Sequence, residues 1–302
     1  MKKAIIVILI GVALVAGVIA TGSKGISDDN IAVYEKAVSL ESENSFGFSG
    51  FALSDYPVAF YDGDGNYVFE WKNGEYAITK RAAVLNFIVA TAYPVEGHYE
   101  VLTPTVEKMS SLLSLMGHEK NNYGAEEHIS TLWHEAFHCF QLTNYKGNIE
   151  DICAEADESL IAEYADKNEA AVKLFKQKAQ LLKKAVMSND IDKIREYIVQ
   201  YKKLNEERKA LLSDKVNALE EYYTRIEGSA CYVEACVYKM QLPESFESSY
   251  IEAISDYGGG SAKYYKSGMA MCMILDTIAP EWKQNYDFSV PLTDLIYAEL
   301  EI

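Results

Sequence analysis

The feature that most constrains this chain is a pair of histidines four residues apart, His134 and His138, with Glu135 directly after the first. On an α-helix, positions i and i+4 share one face, so both imidazoles can point at a single metal ion. Glu135 projects about 100° around the helix from His134, near enough to contact a water in the site without being a ligand. The HExxH pattern therefore predicts a helix that carries a zinc site.

Residues 125–141 have the pattern of an amphipathic helix. Apolar residues recur at spacings of three and four and form one stripe: Ile129, Leu132, Trp133, Ala136 and Phe140. Glu126 and Glu127 suit the first turn, where carboxylates interact favourably with the helix dipole. The competing interpretation is two solvated surface histidines, and the helical phase of the motif favours the metal site over it.

The N-terminus has the pattern of an export signal. Lys2 and Lys3 precede an uncharged run from Ala4 to Ala20. Residues 1–25 are predicted to be a signal peptide, and the second interpretation is an uncleaved anchor in which residues 4–20 tether the protein to a membrane. Either interpretation places the remaining chain outside the cytoplasm, as a secreted or extracytoplasmic protein.

Charge and cysteine content exclude several classes of function. The chain has 28 Lys and Arg against 45 Asp and Glu, a net charge of −17, so nonspecific binding to nucleic acid is not expected. Its five cysteines have no CxxC spacing, which argues against a thiolate zinc site and against a disulfide framework. We expect the cysteines in apolar helical stretches to be buried thiols. The sequence does not indicate an oligomeric state.

The patterns along the chain predict an α+β fold that is mainly helical. A strand-rich region, 26–120, contains aromatic and β-branched runs broken by the turn sequences DGDGN and KNG. The apolar run VLNFIVATAYPV is predicted to be a buried strand. The region 121–302 is predicted to be helical, with an insert at about 150–215 that forms an antiparallel helical hairpin, because its heptads do not persist as a coiled coil requires.

A catalytic zinc site needs a third protein ligand. The three other histidines are unsuitable: His128 projects away from the motif face, and His98 and His118 lie in loop-like stretches. The third ligand is therefore expected to be a carboxylate, and two candidates compete, Glu158 and Glu227.

One resemblance bears on this choice. HEAFHCFQ, followed by a long helical segment and then RIEGSACYVE, resembles the glutamate-type zincin metallopeptidases, in which a distal E-G-x-A-x-Y helix supplies the third ligand. YYKSGMAMCMILDTIAPEWK is similar to a helix that follows in some members. The resemblance covers residues 125–285 and implies a zincin-like fold with Glu227 as the ligand, although the long separation from His138 departs from the compact family pattern.

The residues around Glu227 also favour it. Gly228 and Ala230 are small enough to let their helix approach the HExxH helix closely, and Tyr232 and Glu234 can hydrogen-bond the metal ligands.

These observations predict an exported zinc metallopeptidase that hydrolyses peptide bonds with zinc-activated water and Glu135 as the general base. By analogy with the fold, an edge strand of the small sheet would bind an extended peptide or protein substrate. Gln141 either braces the site or is a solvated helix residue. The alternatives are a zincin-like binding or sensor protein without turnover and a helical interaction protein. Candidate donors to the reaction's oxyanion are Tyr222, Tyr223, Arg225, Tyr232, Tyr264 and Tyr265.

Overall fold

A computed structural model describes residues 25–43, 47–84, 89–115, 123–153 and 157–302. It is an α+β fold in which helices predominate around a small five-stranded sheet. Nearly all of the predicted leader, residues 1–24, lies outside the described residues. In the part of the chain that is described, no helix has the length and apolarity needed to cross a membrane.

The sheet is built from two hairpins joined by a parallel pair. Its strands are β1 Val58–Tyr61, β2 Gly65–Lys72, β3 Glu75–Ala82, β4 Thr91–Val95 and β5 His98–Pro104. The strand order is β3-β2-β1-β5-β4, with β1 parallel to β5 and the other neighbours antiparallel. Both predicted turns, DGDGN and KNG, connect consecutive strands, so the hairpin predictions are confirmed.

The prediction of a strand over VLNFIVATAYPV is confirmed at Thr91–Val95, but this strand is not fully buried. Within this run, residues 85–88 lie outside the described chain, and the described strand covers only Thr91–Val95. This strand lies at the edge of the sheet, and its Pro94 is exposed. Proline has no N–H to donate to a neighbouring strand, which suits an edge and not a central position.

Two helices accompany the sheet, α1 Asp28–Ser39 and α2 Val106–Leu115. The sequence analysis missed α1, although Ser27 before it is a good N-cap and accepts a hydrogen bond from the Asn30 N–H. The helix packs on the HExxH helix, where the indole N–H of Trp133 donates to the Ala37 carbonyl at 3.1 Å.

The HExxH helix, α3, runs from Ala125 to Asn144 and is followed by α4, Lys146–Cys153. The predicted apolar stripe is buried: Ile129, Leu132, Trp133, Ala136 and Phe140. The helix contacts β4 and β5 on one side and a later helix on the other. It is thus the central element between the sheet and the helical region.

The predicted insert is a helical hairpin of α5 Glu169–Val186 and α6 Ile191–Lys209. Asn168 and Asp190 cap the two helices with their side chains. The hairpin packs against a later helix, Ala262–Ile278, so the prediction that it folds onto the same structure is confirmed.

The remaining helices form the wall opposite the sheet. Helix α7, Asp214–Tyr222, passes through a π-helical turn, Tyr223–Glu227, into α8, Gly228–Gln241; α9 Pro243–Phe246, α10 Ala262–Ile278 and α11 Leu292–Glu299 follow. These helices agree with the prediction that the region 121–302 is helical.

Gly228 does not lie at the contact with the HExxH helix, as the sequence predicted, but at a contact with α10. A Cβ at this position would lie 2.5 Å from the Gly268 Cα on α10, and a Cβ at Gly268 would lie 1.8 Å from the Thr224 carbonyl oxygen. The two glycines therefore let α8 approach α10, and not α3, at backbone contact distance. Helices α3 and α8 still pack together, but this packing does not depend on Gly228.

Candidate metal centre

Three predicted ligand atoms converge between α3 and α8. His134 Nε2 lies 3.1 Å from His138 Nε2, and Glu227 Oε2 lies 3.2 Å from His138 Nε2 and 3.6 Å from His134 Nε2. Ligand atoms on a tetrahedral zinc ion, with bonds of about 2.0–2.1 Å, are roughly 3.3 Å apart. The donor set and its spacing therefore fit zinc. In the described part of the chain, this trio is the one group of three or more His, Cys, Asp or Glu side chains close enough to hold a metal ion.

Glu234 fixes the orientation of His134. Its Oε2 lies 2.8 Å from His134 Nδ1, and its Oε1 accepts a hydrogen bond of 2.8 Å from the Tyr250 hydroxyl. An ionised carboxylate can only accept, so His134 Nδ1 carries a proton, and Nε2 is the nitrogen that is free to bind a metal when the ring is neutral. This confirms the prediction that Glu234 hydrogen-bonds a ligand. The same prediction for Tyr232 is wrong, because its hydroxyl donates to Asp276.

Gln141 performs the same task for His138. Its amide nitrogen donates to the Ile226 carbonyl at 3.1 Å and to the Ser229 hydroxyl at 2.9 Å. A carbonyl only accepts, so the amide oxygen must be the atom that faces His138 Nδ1, at 2.7 Å. His138 therefore donates from Nδ1 and offers Nε2 to a metal. Gln141 is fully buried, and of its two predicted roles the bracing one is confirmed.

Glu227 is placed by an irregularity in its helix. It is the last residue of the π-helical turn Tyr223–Glu227 between α7 and α8. Such turns are frequent at functional sites, because the extra residue changes which side chains face the neighbouring element. Two turns later, on α8, Glu234 faces His134, so this continuous helical segment supplies both one candidate ligand and the carboxylate that orients another.

The charges of the cluster favour a cation. Burial alone lowers the pKa of His134, but its interactions with the Glu227 and Glu234 carboxylates outweigh burial and raise that pKa. Burial opposes ionisation of Glu227, yet the two histidines lower its pKa well below the usual range. Glu227 is therefore ionised at neutral pH, although the residue is only 7% exposed. A divalent ion would neutralise this buried negative charge.

Glu135 lies beside the trio and is held by the sheet. Its Oε2 accepts a hydrogen bond of 3.0 Å from the backbone N–H of Ala92 on β4. Burial raises the pKa of this carboxyl group, and the neighbouring histidines oppose the rise only in part. A raised pKa brings a carboxylate closer to the value at which it both accepts and releases a proton near neutrality. The other oxygen, Oε1, is the atom left to make that transfer.

The competing ligand candidate, Glu158, binds elsewhere. Its Oε1 accepts hydrogen bonds from the hydroxyl and backbone N–H of Ser261, at the start of α10. Of the other histidines, His128 is buried, stacks on Phe60 and contacts the Tyr123 hydroxyl, as expected for a residue facing away from the site. His98 contacts Glu100 on β5. The fifth histidine, at position 118, lies outside the described residues.

Several proposed oxyanion donors are already engaged. The Tyr264 hydroxyl donates to Glu220, and the Arg225 guanidinium donates to Glu221 and to the carbonyls of residues 288 and 289. Tyr265 is partly exposed and stacks on Tyr223 with ring centroids 6.0 Å apart. Burial, followed by the charge of Glu227, raises the pKa of Tyr265, so its hydroxyl remains a donor at neutral pH.

Four cysteines are free thiols: Cys139, Cys231, Cys236 and Cys272. Three of them are buried and Cys236 is half-buried, as expected from their apolar surroundings. None belongs to the trio, which agrees with the absence of CxxC spacing.

Comparisons with protein-family models, curated proteins and solved structures give no match. The similarity to glutamate-type zincins therefore stays a prediction from the motifs, and function has to be argued from the geometry of the site.

Sequence reasoning missed two contacts of this site. The Ala92 N–H that holds Glu135 is a backbone group, so no side-chain pattern could reveal it. Tyr250 lies in a π-helical turn, Glu247–Ile251, and nothing distinguishes it in sequence among 22 tyrosines.

Proposed function

We propose that this protein is an exported zinc-dependent metallopeptidase. The observation that carries the proposal is the convergence of two imidazole nitrogens and one carboxylate oxygen at zinc-ligand spacing, with Glu135 beside them. In both histidines Nδ1 is already hydrogen-bonded, to Glu234 in one and to Gln141 in the other, so Nε2 is the nitrogen available to a metal. A purely structural cluster has no need of that arrangement.

His134, His138 and Glu227 would hold the ion, and a fourth position would remain open for water or substrate. Zinc, when bound, supplies a Lewis acid that acidifies water and polarises a carbonyl group. Glu135 accepts the proton as water attacks the peptide carbonyl carbon, and then delivers it to the leaving amine. The Ala92 N–H keeps Glu135 Oε2 in place, so the side chain presents Oε1 in a fixed orientation.

The position of the sheet supports a peptide as the substrate. Strand β4 lies at the sheet edge, and its Ala92 contacts the proposed general base. An exposed strand edge binds extended peptides through main-chain hydrogen bonds. The strand that contacts Glu135 thus lies at a sheet edge where an extended segment of protein can bind.

The test compares zinc-loaded parent protein with Glu135→Gln on a mixed decapeptide library, with cleavage read by mass spectrometry. We expect the parent to cleave and Glu135→Gln to be about 10²–10⁴-fold slower, because it lacks the proton acceptor. Both should bind one zinc per chain. A zinc-replete parent that cleaves nothing, or a Glu135→Gln variant as active as the parent, would contradict the proposal. The first of these results would favour the alternative of a binding or sensor protein.

A further inference from the structure

The hydrogen-bonding pattern of β5 determines which groups of β4 face outward. The N–H groups of Val101 and Thr105 donate to Pro57 and Tyr61, so alternate residues of β5 face β1. The intervening residues of β5 face β4, and Leu102 and Glu100 pair there with Thr91 and Tyr93. Ala92 and Pro94 therefore direct their backbone groups away from β5, toward the open edge.

This open edge has no free N–H group over these two positions. The Ala92 N–H is donated to Glu135 at 3.0 Å, and Pro94 has none. Both residues do have a carbonyl oxygen. The Ala92 carbonyl also accepts from the Thr91 hydroxyl at 3.3 Å, which leaves its second lone pair. No other strand of the described residues pairs with this side of β4.

An ordinary edge strand offers both N–H donors and carbonyl acceptors, and an added strand pairs with both. At Ala92 and Pro94 only the carbonyl acceptors are available. The Ala92 N–H cannot serve a peptide without releasing the general base, and no rearrangement gives Pro94 a donor. The same proline also discourages pairing with the edge of another sheet.

We propose that β4 selects peptide substrates by accepting only: the peptide donates two N–H groups, two residues apart, to the carbonyls of Ala92 and Pro94. Peptide carbonyls opposite these residues receive no bond from the strand. The inference rests on the proposed peptidase function and adds the chemical requirement on its substrate. Pro94 is exposed, whereas Ala92 is 5% exposed. A peptide that approaches from solvent therefore meets Pro94 before Ala92.

The requirement excludes certain peptides. Proline and N-methyl residues lack the N–H group, so neither is accepted at the two alternating positions. At the position between them the peptide N–H points away from β4, and a missing donor there is tolerated. Recognition at this edge thus depends on the N–H groups of alternate residues of the peptide.

The experiment is an ester scan. The fastest-cleaved decapeptide from the mixed library is resynthesised with each non-scissile amide in turn replaced by an ester, which removes one N–H with little change in shape. We expect kcat/KM to fall about 5- to 10-fold at two positions separated by one tolerant position, as for loss of a hydrogen bond worth about 1 kcal/mol. A flat profile, or losses at two adjacent positions, would overturn the inference.

A second measurement uses Pro94→Ala, which gives the edge a donor. If peptide carbonyls opposite β4 are unbonded in the parent, this variant should lower KM several-fold for the all-amide peptide. Pro243→Ala, an exposed proline at the start of α9, is the matched control and should leave KM unchanged. An unchanged or raised KM in Pro94→Ala would count against the inference.

These results separate the two proposals. Cleavage with a flat ester profile overturns the edge-strand inference and leaves the peptidase function intact. Lack of any cleavage by zinc-replete protein overturns the peptidase function, and the substrate requirement is rejected with it.

Discussion

Each proposed histidine ligand has an acceptor oxygen facing its Nδ1, so its Nδ1 must carry a proton. Glu234 can only accept, and Gln141 is oriented by the Ile226 carbonyl, which also can only accept. Both imidazoles thus present Nε2 to the same point. Residues of this kind tune metal affinity without contacting the metal.

For Gln141 this argument gives a direct prediction. Gln141→Ala leaves His138 free to rotate and to change tautomer, so we expect zinc affinity to fall about 10- to 100-fold, the usual range for such partners. Competition titration with a chromogenic chelator measures it. The matched control is Gln177→Ala on the exposed face of α5, which should bind zinc like the parent. Equal affinity in all three proteins would show that Gln141 only fills space.

Much of the site at this scale follows from sequence. The i and i+4 spacing of His134 and His138 defines a metal face on any helix, and Glu135 follows from the same geometry. Glu227 needed the resemblance and the small residues beside it, and one of those arguments was wrong, since Gly228 packs on α10. The Ala92 contact could not be predicted, because it depends on a backbone group brought near by tertiary folding.

Among the helices, the crossing of α8 and α10 lies beside Glu227, the proposed third ligand. Gly228 and Gly268 meet there with no room for a Cβ. We expect Gly268→Ala to lower the free energy of unfolding by about 3 kcal/mol, because the methyl group would overlap the Thr224 carbonyl and backbone must move. Urea denaturation measures the change.

A matched control for that variant is Gly147→Ala in α4, where an added Cβ meets nothing within 4 Å. It should be neutral or slightly stabilising, since alanine favours a helix over glycine. Zinc affinity should also fall in Gly268→Ala alone, because Glu227 adjoins the disturbed crossing. Equal stability of the two variants would contradict the close packing of α8 on α10.

The α5–α6 hairpin contains a buried amine with a pH-dependent effect. Lys178 is 6% exposed, and its Nζ donates to Asn205 at 2.7 Å. Burial, followed by the charge of Arg208, lowers its pKa to about 7, while Glu220 opposes the shift. Between about pH 7 and the unfolded value of 10.5, the unfolded chain binds more protons at this residue, so its contribution to stability rises with pH.

Lys178→Met removes this titration. The parent minus variant difference in unfolding free energy should therefore rise from pH 7 to pH 10, by at most about 1.4 kcal/mol per unit. Denaturation at several pH values measures it. Gln177→Met, at an exposed position of α5 with no titratable group, should give a difference independent of pH in this window. A flat difference for Lys178→Met would mean that the amine stays protonated when buried.

Sequence patterns predicted the helical elements better than the strand order. The helical insert and the two turn sequences of the sheet are indicated by local patterns, and the structure contains each of them. The edge position of β4 was not predicted, since strand order depends on long-range pairing that an apolar run does not encode. The first helix was missed because its polar surface resembles that of a loop.

For the whole molecule, the site joins the sheet, α3 and the α7–α8 helix, so metal binding should stabilise the fold. A ligand that binds only the folded state at 100 times its Kd adds about 2.7 kcal/mol. We expect chelation to lower the Tm by roughly 5–10 °C, measured by differential scanning calorimetry. The chelator should have no effect on His138→Ala. An equal Tm with and without chelator in the parent would mean that no metal contributes to stability.

The measurement that tests the account most directly is elemental analysis of zinc per chain in metal-replete parent, His138→Ala, Glu227→Ala and Glu158→Ala. The account predicts one zinc in the parent, loss of zinc in the first two variants, and retention in Glu158→Ala, whose side chain binds Ser261 instead. Absence of zinc from the parent, or its loss only in Glu158→Ala, would contradict the site formed by His134, His138 and Glu227.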